Sequence, residues 1–312
     1  MSVEQAQAIL FGLALGDALG YPTEFKKLTV IKARYGPKGI EYPPDPALYT
    51  DDTQMTLAVA EGLLDAGLAA DIDTQMNAVG KRFIEWDDTA PPRAPGMTCR
   101  RGVNNFRLGA TWYKSGVAHS KGCGSAMRVA AIGYLYQHDT EKLVEVAKSS
   151  GIITHGHPAA IAASIAAAYL VKLALDGVHP DEYMRRVLEI TDGISDEFDA
   201  AIYRAGQAHF ASEEKALTHI GEGWVGEEAV ALALWCVMKY PDDYVACVRR
   251  GANTDGDSDS IACIGGGISA ARLGLDAVPK NWRDRCENRD YLIDLSERMF
   301  ATREAMTGNG QN

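Results

Sequence analysis

A chain of 312 residues, 46% of them hydrophobic, can bury a large core as one large domain or two modest ones. With 42 acidic against 31 basic side chains its formal charge is −11, and Arg93, Arg100, Arg101 and Arg107, the nearest thing to a basic cluster, are spread over a loop; this argues against nucleic acid as the main ligand. None of the 6 cysteines stands in a Cys-x-x-Cys pair, which argues against structural zinc, and nothing suggests a disulfide framework; Cys236 and Cys263 read as buried free thiols.

In chain order, residues 3–19 carry Ile9, Leu10, Leu13 and Ala14 at helical spacing, with Gly12, Gly16 and Gly20 four apart. Asp17 interrupts this apolar run and no basic flank precedes it, so a core helix is expected there and not a signal peptide. Further helices are expected over 52–66, ending before Gly67, and over 74–86, 124–138 and 140–149. The segment 158–176 is Ala-rich, with Pro158 in its first turn and Gly177 just past its end. Others are expected over 181–191, 197–211, 227–239, 242–250, 259–273 and 290–305. The longest apolar run, Pro158 to Val171, is too short for a bilayer, so a cytoplasmic protein without a membrane segment is expected. Strand alternation is poor and no linker stands out. The expectation is a single all-α domain over 1–306 with a frayed tail over 307–312.

Two acidic clusters stand at expected helix starts. In Tyr49-Thr50-Asp51-Asp52-Thr53, Thr50 can cap the helix while Asp51 and Asp52 favour its positive end; metal binding is the other reading. In Asn253-Thr254-Asp255-Gly256-Asp257-Ser258-Asp259-Ser260, capping accounts for one carboxylate but not three. Like charges about 4 Å apart repel by roughly 4 kcal/mol at an effective dielectric near 20. A hard divalent cation is the usual remedy for oxygen-only ligands. An EF-hand needs Gly at loop position six and an acid at twelve. Counting from Asp255 places Ser260 and Gly266 there, and counting from Asn253 places Ser258 and Ile264, so that motif is excluded.

Gly265-Gly266-Gly267 suggests close approach to a neighbouring helix. Glu24 lies where the first helix breaks. The segment Lys121 to Arg128 is a Gly-rich loop opening a small-residue helix, suited to a phosphate or simply a tight turn, and without the ending of a P-loop. His155 and His157 precede a helix, where substrate contact or local capping outweighs a metal pair.

Together these segments resemble the ADP-ribosylglycohydrolase family, which includes the dinitrogenase reductase-activating glycohydrolases. The match runs over residues 10–275. It comprises Gly12 to Gly20 with Glu24-Phe25, Tyr49 to Thr53, Gly122 to Arg128, Thr154 to Pro158, Gly221 to Val225, and Asp257 to Ala262. The resemblance implies an all-α orthogonal bundle with a binuclear Mg²⁺ or Mn²⁺ site at the base of a cleft. It implies that Thr50, Asp51 and Asp52 ligate metal from one side and Asp257, Asp259 and Ser260 from the other. Gly122, Gly124, Ser125 and Met127 would cradle the pyrophosphate and ribose, and His155 would lie near the distal part of ADP-ribose. Ser258 and Ser260 stand where the family usually has Thr. Arginine-directed members resemble Asp-x-Gly-x-Thr-Thr in the loop after the third helix; here Ala94 stands in place of that Asp, with Asp87 or Asp88 as substitutes, which leaves the leaving group open.

The expected mechanism has two ions about 3.5–4 Å apart that activate a water for attack on the anomeric carbon. Glu24, Asp51 and Asp257 are the candidate catalytic residues, with Glu24 or Asp51 assisting proton transfer. The expected partner is ADP-ribose on a modified substrate, bound by a monomer, with nucleic acid entering only as a modified substrate. The alternatives are a non-catalytic ADP-ribose-binding protein and a hydrolase of another ribosyl or nucleotide substrate.

Overall fold

The computed structural model describes residues 2–208 and 212–308. Among them are seventeen α-helices and no strand. The first nine are α1 (Val3–Gly20), α2 (Leu28–Tyr35), α3 (Asp51–Ala66), α4 (Ile72–Thr89), α5 (Met97–Arg107), α6 (Trp112–Ser115), α7 (Ala130–Leu135), α8 (Thr140–Ile152) and α9 (Pro158–Leu175). The rest are α10 (Tyr183–Ile190), α11 (Asp196–Gln207), α12 (Glu213–Ile220), α13 (Gly226–Lys239), α14 (Tyr244–Ala252), α15 (Ser258–Leu273), α16 (Lys280–Arg283) and α17 (Arg289–Gly308). The helix expected over 197–211 is thus described to Gln207, and its residues 209–211 lie outside the described residues. The tail expected from Thr307 lies outside them from residue 309 on.

The helix starts follow local chemistry. Asp71, Asp139 and Asp243 accept from the N–H groups of Thr74, Lys142 and Ala246 at the starts of α4, α8 and α14. Thr50 accepts from Asp52 N at 3.3 Å, as a cap of α3 should. His157 accepts from Ala159 N at 3.1 Å, so this histidine caps α9. At α15 the pattern breaks: Asp257 occupies the cap position but makes no side-chain capping bond. Its carboxylate is left for something else.

The centre of the molecule is the pair α1 and α15, which lie against each other with almost no side chain between them. A Cβ on Gly12 would lie 2.7 Å from the carbonyl oxygen of Gly266, one on Gly16 2.1 Å from that of Ala262, and one on Gly20 2.4 Å from the Cα of Asp259. Glycine at every fourth position of α1 therefore lets two backbones meet, and Gly266 answers from α15. Helices α9, α13, α14 and α17 surround this pair. Helix α9 is apolar enough over 18 residues to cross a membrane by composition, but it packs against α7, α8, α13 and α15 within the bundle.

The helix expected over 124–138 is shorter than its apolar pattern. Residues 123–125 form a single 3₁₀ turn and α7 begins only at Ala130. The N–H groups of Ala126 and Met127 are spent on the carbonyl of Cys123. The Gly-rich segment is therefore a turn, and a helix dipole does not point from it.

Candidate active site

Both acidic clusters fall in first helical turns, at α3 and α15, where the positive ends of two helices meet. The close contact of α1 with α15 brings a third element alongside. Asp17, fully buried on α1, accepts from Thr50 N at 3.0 Å, Thr50 Oγ1 at 2.9 Å, Thr53 N at 3.1 Å and Thr53 Oγ1 at 2.6 Å. It thereby fixes the entry to α3. The Thr50 hydroxyl gives its proton to Asp17, so only its lone pairs remain for other partners. The main sequence signal for this role was the presence of a carboxylate in an otherwise apolar helix.

Glu24 follows a 3₁₀ turn over Tyr21–Thr23, locked where Thr23 Oγ1 donates to the carbonyls of Gly20 and Ala252. One carboxylate oxygen each of Glu24, Asp257 and Asp259 lies within 4.8 Å of the others. Burial, reinforced by Asp257, Asp51 and Asp17, pushes the Glu24 carboxyl up to about 8. Burial and the surrounding carboxylates also hold Asp51, Asp52 and Asp259 well above the usual carboxylate range. Asp17 is raised to about 6, again by burial, against the hydrogen bonds from Thr53 and Thr50. Asp52 Oδ2 is buried without a hydrogen-bond partner. A buried acceptor with no donor, amid carboxylates that raise one another, fits a cation. The acidic cluster is one that could bind a metal ion.

Asp255 is used differently. It accepts from Leu28 N at 2.6 Å and pairs with Lys27 at 3.1 Å, so it anchors the loop. Of the three carboxylates that alternate here, two face the cluster. Ser258 also serves the scaffold, donating to the carbonyl of Gly20.

The cluster floors a cleft of ≈ 430 Å³. Asp51, Asp52, Asp257, Ser260 and Glu24 line it, as do Gly122, Gly124, Met127 and His155; Thr50 and Asp259 lie behind this layer. Ser125 does not share the cleft: its hydroxyl is turned to the carbonyl of Ala160. His155 is buried and its imidazole is held neutral, its proton affinity lowered to about 3 by burial and by Arg128. Thr154 Oγ1 accepts from Arg128 at 2.8 Å and lies 2.8 Å from His155 Nδ1, which orients the ring. A Cβ on Gly122 would lie 3.2 Å from His155 Nε2, and one on Gly124 2.5 Å from Cys99 Sγ, so glycine keeps this wall thin.

Four further residues shape the site, and periodicity gave no reason to single them out. Arg128, fully buried, ties the glycine turn to the end of α8 through the carbonyls of Gly124 and Ser150. At the rim Phe25 and Trp224 stack at 4.9 Å, both exposed, and Phe25 takes the left-handed φ of +60° that a bulky residue rarely adopts. The loop carrying Ala94 is held by Arg93, which donates to the Tyr49 carbonyl and pairs with Glu287. Asp87 is paired with Arg100 and Arg107, and Asp88 with Arg107, and neither lines the cleft.

The family model for ADP-ribosylglycohydrolases matches residues 2–309. The chain belongs to that family. Its members are glycoside hydrolases, and the chain is an enzyme of this kind. It is similar to ADP-ribosylarginine hydrolase Tri1 of Serratia proteamaculans, at 23% identity over 96% of this chain and 80% of that one. It is also similar to the ADP-ribosyl-[dinitrogen reductase] glycohydrolase of Rhodospirillum rubrum, at 26% identity over 91% and 90%. A solved structure titled an ADP-ribosylglycohydrolase-related protein complex superposes with a TM-score of 0.76 at 25% identity, covering 96% of this chain and 98% of that one. The all-α architecture of this ADP-ribosylglycohydrolase is thus a shared one.

Proposed function

We propose that this ADP-ribosylglycohydrolase removes ADP-ribose from a modified acceptor by hydrolysis at a centre of two divalent cations, Mg²⁺ or Mn²⁺. The observation that carries the reading is the convergence of Asp51, Asp52, Asp257 and Glu24 on the cleft, with Asp259 within reach of Glu24 and Asp257 behind it and Asp52 Oδ2 unpartnered. Thr50, Asp51, Asp52, Asp257, Asp259 and Ser260 would hold the cations. Bound there, the cations supply Lewis acidity and lower the pKa of a coordinated water.

The remaining chemistry belongs to the chain. Glu24 is set beside the cluster, within 4.8 Å of carboxylate oxygens of Asp257 and Asp259, a carboxyl placed to take up and return a proton. His155 presents a neutral ring to the cleft, one that does not charge in the working range. Gly122 and Gly124 leave room for substrate backbone contacts beside it. At the rim, Ala94, Met97, Phe25 and Trp224 give the acceptor an apolar and aromatic environment. Asp87 and Asp88 do not line the cleft, and the acceptor is read there by shape and stacking.

The test is release of ADP-ribose from ADP-ribosyl-arginine, ADP-ribosyl-serine and modified nucleic acid, with Mg²⁺ or Mn²⁺ present. Wild-type protein should release ADP-ribose from at least one. Asp52→Ala and Asp259→Ala should each lose about 10²-fold or more, the scale on which metal-site residues act. Full activity in both variants would remove the acidic floor from the mechanism.

A further inference from the structure

We propose that the thiol of Cys123 is a sulfur donor to this same cation centre and tilts it towards thiophilic divalent ions. Cys123 stands at the start of the 3₁₀ turn and lines the cleft. Its Sγ donates to Asp257 Oδ2 at 2.8 Å and lies 3.6 Å from Ser260 Oγ. Asp52, whose buried Oδ2 has no partner of its own, is a residue of the same cleft. Sulfur therefore joins carboxylate and hydroxyl oxygens around one space. Cys236 and Cys247 are packed within α13 and α14, and Cys263, though near the same carboxylates, is turned to the carbonyl of Met127.

A thiolate favours Zn²⁺, Co²⁺ and Fe²⁺ over Mg²⁺, which prefers oxygen alone. On coordination the S–H bond is replaced by an S–metal bond, and the proton passes to solvent. The consequence is a site whose ion preference is set by one side chain of the glycine turn.

The inference rests on the acidic cluster being a cation centre, and the experiment separates the two. Co²⁺ is added to the metal-stripped full-length protein and the absorption spectrum is followed. Visible d–d bands report binding, and a near-ultraviolet thiolate-to-cobalt charge-transfer band reports sulfur ligation. The wild type and Cys99→Ser, which alters the other cleft thiol, should show both. Cys123→Ser should keep the d–d bands, lose the charge-transfer band, and lower the preference for Co²⁺ over Mg²⁺ by about tenfold. Cobalt bound to the wild type without a charge-transfer band overturns this inference alone. A band that survives in Cys123→Ser, or that disappears instead in Cys99→Ser, does the same. No cobalt binding at all overturns the cation centre and this inference with it.

Discussion

Four donors end on the carboxylate of Asp17, the N–H and hydroxyl of Thr50 and of Thr53. This buried acid holds in register the turn that presents Asp51 and Asp52. An Asp17→Asn side chain keeps one acceptor oxygen and turns an NH₂ towards donors. Leaving buried donors unmatched costs about 1–3 kcal/mol. Because the turn also positions cation ligands, Asp17→Asn should weaken divalent-cation affinity by about 10–100-fold. Denaturant titration and calorimetric cation binding check the two effects. Unchanged cation affinity in a destabilised variant would confine Asp17 to the scaffold. At this scale the sequence was informative about type and weaker about use. The acidic residues could be picked out, but Asp255 looks like Asp257 in the sequence and is spent on Lys27 and Leu28 N. Ser125 sits in a glycine-rich turn as a phosphate contact would, yet points to Ala160. Which partner a side chain finds depends on elements distant along the chain.

Helices α1 and α15 set the distance between the acidic groups. Gly20 packs on the Cα of Asp259, so a methyl group there would move a proposed cation ligand directly. Gly20→Ala should destabilise by about 1–3 kcal/mol, as overpacking does, and should lower cation affinity as well. Gly12→Ala, two turns away against Ala270 and Gly266, should cost stability with little effect on cation affinity. Thermal unfolding with and without cation separates them; equal losses of affinity would contradict this division. The glycine repeat on α1 and the triplet on α15 were legible because glycine inside an apolar helix has few other uses. Helices α2 and α5 were not. In α5 only Cys99, Gly102 and Val103 are buried, too few apolar positions to mark a period. The apolar run after Gly124 read as one helix because buried turns and buried helices share composition.

Over the whole molecule, the carboxylate floor couples stability to pH and to cations. Asp17 and Glu24 have proton affinities raised in the folded state, to about 6 and about 8. A group raised on folding gives stability that is full below its unfolded pKa and is lost as pH rises through its folded pKa. The metal-stripped protein should therefore lose thermal stability as pH rises from about 4 to about 8. Cations bind the deprotonated carboxylates, so the stabilisation they add should grow over the same interval. Thermal melts in chelator and in excess Mg²⁺, compared across that range, check both slopes. Two parallel curves would mean that the floor does not hold the ion.

The central claim is that this floor delivers cation-dependent cleavage of the bond to ADP-ribose. Its most direct test is ADP-ribose release from a modified acceptor by metal-stripped protein, before and after Mg²⁺ or Mn²⁺ is restored. The account predicts little or no release before and full release after, with Asp259→Ala silent in both. Full release in the presence of chelator would contradict it.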